Sequence, residues 1–91
     1  MSTTYYRTSD GRADYGFSFE RLANGTWRAY IDSQPAYRGR DEGAHPTHRL
    51  RDGSRPYVCW TDPVRTEDHI RQVAATWADA TQEYIRTGRR F

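Results

Sequence analysis

The chain has 91 residues, of which 35% are hydrophobic and 29% charged, with a net charge of +2. This length suffices for one small domain with a thin core. Aromatic residues make up 14% of the chain and are expected to supply much of the buried area. A single cysteine excludes an internal disulfide, and no apolar run approaches the roughly 20 residues of a membrane span.

Two further features of the composition bear on origin and location. All fourteen basic residues are arginine, which indicates a GC-rich bacterial or phage genome and also suits phosphate recognition by guanidinium groups. The first residues lack the apolar core of a signal peptide, so we expect a cytoplasmic protein.

The amino-terminal third predicts a flexible start followed by two strands. Residues 1–13 are polar and are expected to be flexible, with at most a short edge strand at residues 5–7. Residues 14–91 predict a single domain. Two period-two patterns indicate half-buried strands, with apolar positions at Tyr15, Phe17 and Phe19 and at Trp27, Ala29 and Ile31.

Residues 23–25, Ala-Asn-Gly, predict a hairpin turn between these strands. A two-residue loop would pair Phe19 with Tyr30 and place the two apolar sets on opposite faces. A three-residue loop with Gly25 in the left-handed conformation pairs Phe19 with Ala29 and collects both sets on one face. We therefore favour the three-residue loop, because one buried face specifies the register.

Residues 33–46 form a long polar connection, which is either a contact element or mobile. Residues 47–50 predict a weak strand, and residues 51–53, Arg-Asp-Gly, predict a second three-residue turn. The strand after this turn is expected to place Val58 and Trp60 in the core with Leu50.

In this register three further side chains, Arg49, Arg51 and Tyr57, face away from the core. They lie on the same predicted face as Cys59.

Residues 66–88 predict one long amphipathic helix, because apolar side chains recur there at spacings of three and four. Thr66 is a suitable N-cap, and Glu67 and Asp68 place negative charge at the positive end of the helix dipole. Gly88 is suited to the left-handed conformation that ends a helix. The sequence thus predicts an α+β fold, an antiparallel three- to four-stranded sheet packed on one long C-terminal helix.

One helix covers one face of a sheet, so the other face is expected to be open. The candidate nucleic-acid-binding residues lie on that face or in the adjoining loop: Arg28, Tyr30, Arg38, Arg40, Arg49, Arg51 and Tyr57. Arginine would contact phosphates or base edges and tyrosine would stack on bases, so DNA or RNA is the first candidate partner. The alternatives are an ordinary solvated face and a protein-interaction module such as an inhibitor or antitoxin.

Catalytic chemistry is less well supported. His45, His48 and Cys59 are metal-ligand types, but one cysteine with scattered histidines fits no common zinc pattern. Cys59 lies within a predicted strand, where its side chain is constrained as a nucleophile. We therefore expect a non-catalytic protein with no cofactor and no metal, and the sequence leaves the oligomeric state open.

The order of elements also carries a resemblance to known families. Over residues 15–85 the chain resembles the amino-terminal arm-binding domain of tyrosine recombinases. The resemblance rests on the order of elements: a strand, a turn, residues 25–31 (Gly-Thr-Trp-Arg-Ala-Tyr-Ile), a further strand and the helix. In that family a three-stranded sheet carries a G-x-W pattern and its open face enters DNA, which implies groove-facing roles for Arg28, Tyr30 and Tyr57. The outline is also similar to small antitoxins of the HicB type, which bind a partner protein. We expect a binding module from a phage or mobile element of a GC-rich bacterium.

Overall fold

The computed structural model describes residues 3–91, so Met1 and Ser2 lie outside the described residues. The elements in chain order are β1 (Thr4–Arg7), β2 (Asp14–Arg21), β3 (Trp27–Ser33), α1 (Ala44–Thr47), β4 (Arg49–Asp52), β5 (Arg55–Val58) and α2 (Glu67–Thr87). The strands form one sheet in the order β1-β2-β3-β5-β4, and all neighbours are antiparallel. The predicted α+β fold is confirmed, with five strands in place of three to four.

The short edge strand predicted at residues 5–7 is present as β1, and the segment around it is fastened to the rest of the fold. β1 pairs with β2 in the register Tyr6↔Tyr15 and forms one edge of the sheet. The Tyr6 hydroxyl donates to the Asp79 carboxylate of α2 at 2.8 Å, and the Ser9 amide donates to the same carboxylate at 2.8 Å. The polar composition of this segment gives no indication of these anchors, because their partner lies about 70 residues away in the chain.

The β2–β3 hairpin has the register that the sequence predicts. Phe17 pairs with Ile31 and Phe19 with Ala29. Gly25 has a φ of 85°, the left-handed conformation that the three-residue loop requires. The apolar side chains of both strands therefore lie on the face that α2 covers.

The predicted strand at residues 47–50 begins two residues later. Thr47 ends α1, and His48 adopts the left-handed conformation with a φ of 51°. β4 then begins at Arg49. A left-handed residue interrupts an extended strand, so the chain changes direction at His48.

The predicted register of the β4–β5 hairpin is wrong by three residues, since a loop at residues 51–53 would pair Leu50 with Ser54. Leu50 pairs with Tyr57 and Arg49 with Val58, so the loop has two residues, Gly53 and Ser54. Gly53 has a φ of 61° and Ser54 is not among the residues with positive φ, as expected for a type II′ turn. The two-residue turn moves Leu50 onto the open face and turns Arg49 toward the helix side.

The core lies between the sheet and α2, and Trp77 is at its centre. Its ring meets Tyr15 and Phe17 edge to face, with centroids 5.8 and 6.1 Å apart. Its indole Nε1 donates to the Thr47 carbonyl at 2.9 Å, which joins α2 to the end of α1. No helix in residues 3–91 is both long enough and apolar enough to cross a bilayer.

The connection of residues 33–46 is fastened to the C-terminal end of α2. Tyr37 is buried against Tyr84, with ring centroids 6.2 Å apart. Arg40 donates to the Ile85 carbonyl at 3.2 Å and to the Arg86 carbonyl at 3.3 Å. These are carbonyls of the last helical turn, which have no partner within the helix.

Gly88→Ala is expected to reduce the free energy of unfolding by about 2–3 kcal/mol. Gly88 has a φ of 77°, and a Cβ at this position would lie 2.8 Å from Arg40 Nη1. The substitution therefore adds the left-handed cost of about 1–2 kcal/mol and disturbs the Arg40 contacts. The matched control is Gly39→Ala, where φ is 86° but no atom lies within 4 Å. Urea unfolding should show the larger loss at Gly88; equal losses would show that the Arg40 contact contributes nothing.

Candidate binding surface

The open face of the sheet is built around Tyr30 and Tyr57. Their rings meet edge to face, with centroids 5.9 Å apart. The Arg55 guanidinium lies 3.7 Å from the Tyr30 ring centroid, and the Arg28 guanidinium lies 4.0 Å from that of Tyr57. Tyr30 is only 3% exposed although it lies on the face away from α2. These tyrosines are therefore engaged by arginines of the same face.

The charges of this face pair with one another. Arg55 contacts the Glu20 carboxylate at 2.7 Å, and Arg28 contacts the Asp52 carboxylate at 3.4 Å. The Tyr30 hydroxyl also donates to Asp52, at 3.0 Å. Partial burial lowers the pKa of Arg28, but the Tyr30 hydroxyl and the nearby acidic groups outweigh it and raise this pKa. The result is a face of mixed sign and not a continuous positive stripe.

The structure brings three of the seven predicted site residues together: Arg28, Tyr30 and Tyr57. The placement of Arg49 on the open face is wrong, because the β4–β5 register turns it toward the helix side. There its guanidinium donates to Gln34 at 3.0 Å. Arg51 lies on the helix side with it, since side chains alternate along a strand.

The two loop arginines have separate environments. Arg40 is committed to the carbonyls at the end of α2. Arg38 is exposed, has a left-handed φ of 56° and lines a cavity with Arg12 and Arg86. The seven predicted residues thus occupy four places and do not form one patch.

An apolar groove that the sequence did not indicate opens where β3 and β5 separate. The two strands pair at Tyr30↔Tyr57, and beyond this point the Trp27 amide donates to the Val64 carbonyl at 2.7 Å. The opening has a volume of about 340 Å³. We call it the Trp60 groove, and its apolar lining includes Leu22, Trp27, Leu50, Trp60, Pro63 and Val64.

Two large apolar side chains at the groove are open to solvent: Leu50 is 40% exposed and Trp60 is 44% exposed. Trp60 was expected in the core with Val58, but β5 ends at Val58 and the chain leaves the sheet there. Trp60 also borders a second cavity of about 230 Å³ with Phe91. A single aromatic residue therefore lies between two concave surfaces.

The histidines and the cysteine do not gather into a metal site. Within residues 3–91 no group of three or more potential ligands is close enough to hold an ion. The His48 ring contacts the Phe91 carbonyl through Nε2 at 2.6 Å. Cys59 is partly exposed and its amide donates to the His48 carbonyl at 2.8 Å.

Comparisons with protein-family models, curated proteins and solved structures gave no match. The resemblance to recombinase arm-binding domains and to HicB-type antitoxins therefore stays a prediction from the order of elements.

Proposed function

We propose that the protein is a non-catalytic binding module that takes a bulky apolar side chain of a partner protein into the Trp60 groove. The observation that carries this proposal is the exposure of Leu50 and Trp60 at a concave surface of about 340 Å³. Water is a poor solvent for such side chains, and apolar patches that remain exposed beside a cleft often mark docking sites. The partner is an extended segment with an aliphatic or aromatic anchor.

The surroundings of the groove match the anatomy of a protein interface. Arg28 lines the groove, and its pairing with Asp52 supplies a polar border to an apolar centre. Trp60 has the character of an interface hot spot, since tryptophan in a desolvated pocket contributes about 2 kcal/mol or more to binding. A cytoplasmic role in a phage or a GC-rich bacterium is part of the same proposal.

Nucleic-acid binding is the second candidate, and a specific feature favours it. Within residues 3–91, half of the fourteen arginines form no ion pair with a carboxylate. They are Arg12, Arg21, Arg38, Arg40, Arg49, Arg51 and Arg65. The open face supports this candidate less, because Arg28 and Arg55 are both paired with acids there.

Selection from a random peptide display library tests the leading proposal without a known partner. Peptides enriched on the wild-type protein should share a bulky aliphatic or aromatic residue. The double variant Leu50→Ser/Trp60→Ser should bind them at least about 30-fold more weakly, the equivalent of 2 kcal/mol. The control is Tyr5→Ser, because Tyr5 is the most exposed large hydrophobic residue of the described chain and does not line the groove.

Two outcomes decide between the candidates. Enriched peptides that bind the double variant as well as the wild type would overturn the groove proposal. Fluorescence anisotropy with duplex DNA and an RNA hairpin tests the second candidate. If the protein makes two phosphate contacts, its affinity for either nucleic acid should fall about 10-fold as the salt concentration rises from about 50 to 200 mM, because counterions are released on binding.

A further inference from the structure

A cluster of three arginines surrounds a cavity of about 190 Å³ beside the C-terminal half of α2. We call it the arginine pocket, defined by Arg12, Arg38 and Arg86. The remaining lining residues are Ala13, Pro35, Gln82 and Ile85, so the described lining contains no carboxylate. The lining combines positive charge on one part with apolar surface on another.

The charge of this pocket is only partly compensated. Arg86 contacts the Asp10 carboxylate at 3.6 Å. Arg12 and Arg38 form no ion pair with any carboxylate within residues 3–91. The three guanidinium groups together with Asp10 carry a charge of +2, and Asp79 and Glu83 line an adjacent cavity that shares Arg86. Like charges held together raise the free energy of the folded state unless an anion is bound between them.

Three separate segments hold the arginines in place. Arg38 is in the left-handed conformation, which a non-glycine residue rarely adopts. Arg12 belongs to the turn after β1, where its amide donates to Asp10 at 2.9 Å. The Thr8 hydroxyl also donates to Asp10, and together these bonds hold the pKa of the Asp10 carboxyl below its ordinary value. Asp10 is therefore a fixed anion that orients Arg86 from outside the pocket.

We propose that the arginine pocket binds the terminal phosphate of a phosphomonoester. A dianionic phosphate matches the net charge of +2, and its oxygens accept paired hydrogen bonds from planar guanidinium groups. The apolar wall of Ala13, Pro35 and Ile85 is suited to the organic part next to the phosphate. A phosphodiester carries one charge and is expected to bind more weakly.

This site is independent of the Trp60 groove. The two cavities share no lining residue. Ile70 of α2 lines the groove and Ile85 lines the pocket, and fifteen residues of helix separate them by about 22 Å. Loss of one function therefore leaves the other measurable.

Calorimetric titration of the full chain tests the proposal with three probes at constant ionic strength: inorganic phosphate, O-phosphoserine and dimethyl phosphate. The first two should bind saturably, and dimethyl phosphate should bind at least about 10-fold more weakly. Arg12→Gln and Arg38→Gln should each weaken phosphoserine binding by about 10- to 100-fold, as expected for hydrogen bonds to a charged group. Arg38→Asn is a second variant at that position, because asparagine tolerates the left-handed conformation.

The matched controls are Arg21→Gln and Arg65→Gln, two exposed arginines that do not line the pocket. They should bind phosphoserine as the wild type does, and so should Leu50→Ser/Trp60→Ser. Circular dichroism checks that every variant is folded. Absence of saturable phosphate binding, or equal losses in the control variants, would overturn the proposal and leave the groove proposal untouched.

Discussion

Trp77→Ala is expected to lower the free energy of unfolding by about 3–5 kcal/mol, the cost of removing a large aromatic residue from a packed core. Trp77 is 1% exposed and contacts the rings of Tyr15 and Phe17. A domain of this size has a total stability of roughly 5–14 kcal/mol. The variant should therefore be close to unfolding at room temperature, as urea titration followed by far-ultraviolet circular dichroism would show.

Trp77→Phe separates the two contributions of this residue. Phenylalanine keeps much of the ring packing but removes the Nε1 donor that binds the Thr47 carbonyl at 2.9 Å. Thr47 is fully buried, so its carbonyl would lose a partner away from water, at a cost of about 1–3 kcal/mol. The control is Trp60→Ala, an exposed tryptophan, for which a loss below about 1 kcal/mol is expected. Equal losses at the two tryptophans would contradict the assignment of Trp77 as the centre of the core.

Trp77 also connects the core to the proposed binding surface. It lines the cavity that Trp60 and Phe91 border on the outside. Its hydrogen bond to Thr47 fixes the chain where it turns at His48 into β4. The position of Leu50 on the open face thus depends on a core residue. Variants of Trp77 that remain folded should therefore bind peptides more weakly without any change at the groove itself.

Local signals in the sequence were sufficient for α2 and for the β2–β3 hairpin. The Thr66 hydroxyl accepts from the His69 amide, and Gly88 ends the helix in the left-handed conformation, as their residue types predict. The hairpin register followed from one requirement, that Phe17 and Phe19 share a face with the apolar residues of β3. In both elements the deciding contacts lie within one turn of helix or one loop.

The β4–β5 hairpin shows where local signals fail. The predicted three-residue loop at residues 51–53 and the observed two-residue loop at Gly53 and Ser54 both fit the turn-forming sequence, and these short strands carry too few apolar residues to choose between them. The choice of the two-residue loop moves Leu50 to the open face and Arg49 to the helix side. Two of the five residues predicted on the open face, Arg49 and Arg51, left that face through this three-residue shift.

Both proposed sites depend on contacts between distant segments. The Trp60 groove exists because β3 and β5 separate after Tyr30↔Tyr57, which no pattern within either strand indicates. The arginine pocket requires that residues 12, 38 and 86 meet in space. Fourteen arginines distributed along the chain gave no reason to select these three.

The stability of the protein is expected to fall above pH 10 because Tyr15 is buried as the neutral phenol. Tyr15 is fully buried, and its hydroxyl donates to Gln82 Oε1 at 3.2 Å. Burial raises its pKa well above the ordinary value of 10.0, so the unfolded chain loses this proton first as pH rises. The contribution of the buried Tyr15 phenol to the free energy of unfolding is therefore fully present below about pH 10. Above that pH it is lost by about 1.4 kcal/mol for each pH unit.

Tyr15→Phe tests this expectation, because phenylalanine retains the ring and removes the ionisable group. Two other tyrosines add to the wild-type slope: the hydrogen bond to Asp79 raises the pKa of Tyr6, and burial raises that of Tyr37. The variant should therefore keep part of the decline but show a shallower one in urea titrations between about pH 9 and 11.5. Tyr5→Phe, at an exposed position, should retain the full wild-type slope.

The chain is suited to this measurement because it contains no lysine. Lysine ordinarily titrates near pH 10.4 and would obscure the tyrosine contribution, whereas arginine stays charged throughout this range. The decline of stability with pH above 10 thus reports mainly on phenols. An unchanged slope in Tyr15→Phe would mean that water reaches the phenol in the folded state, and that the packing of Tyr15 against Trp77 and α2 is looser than the geometry indicates.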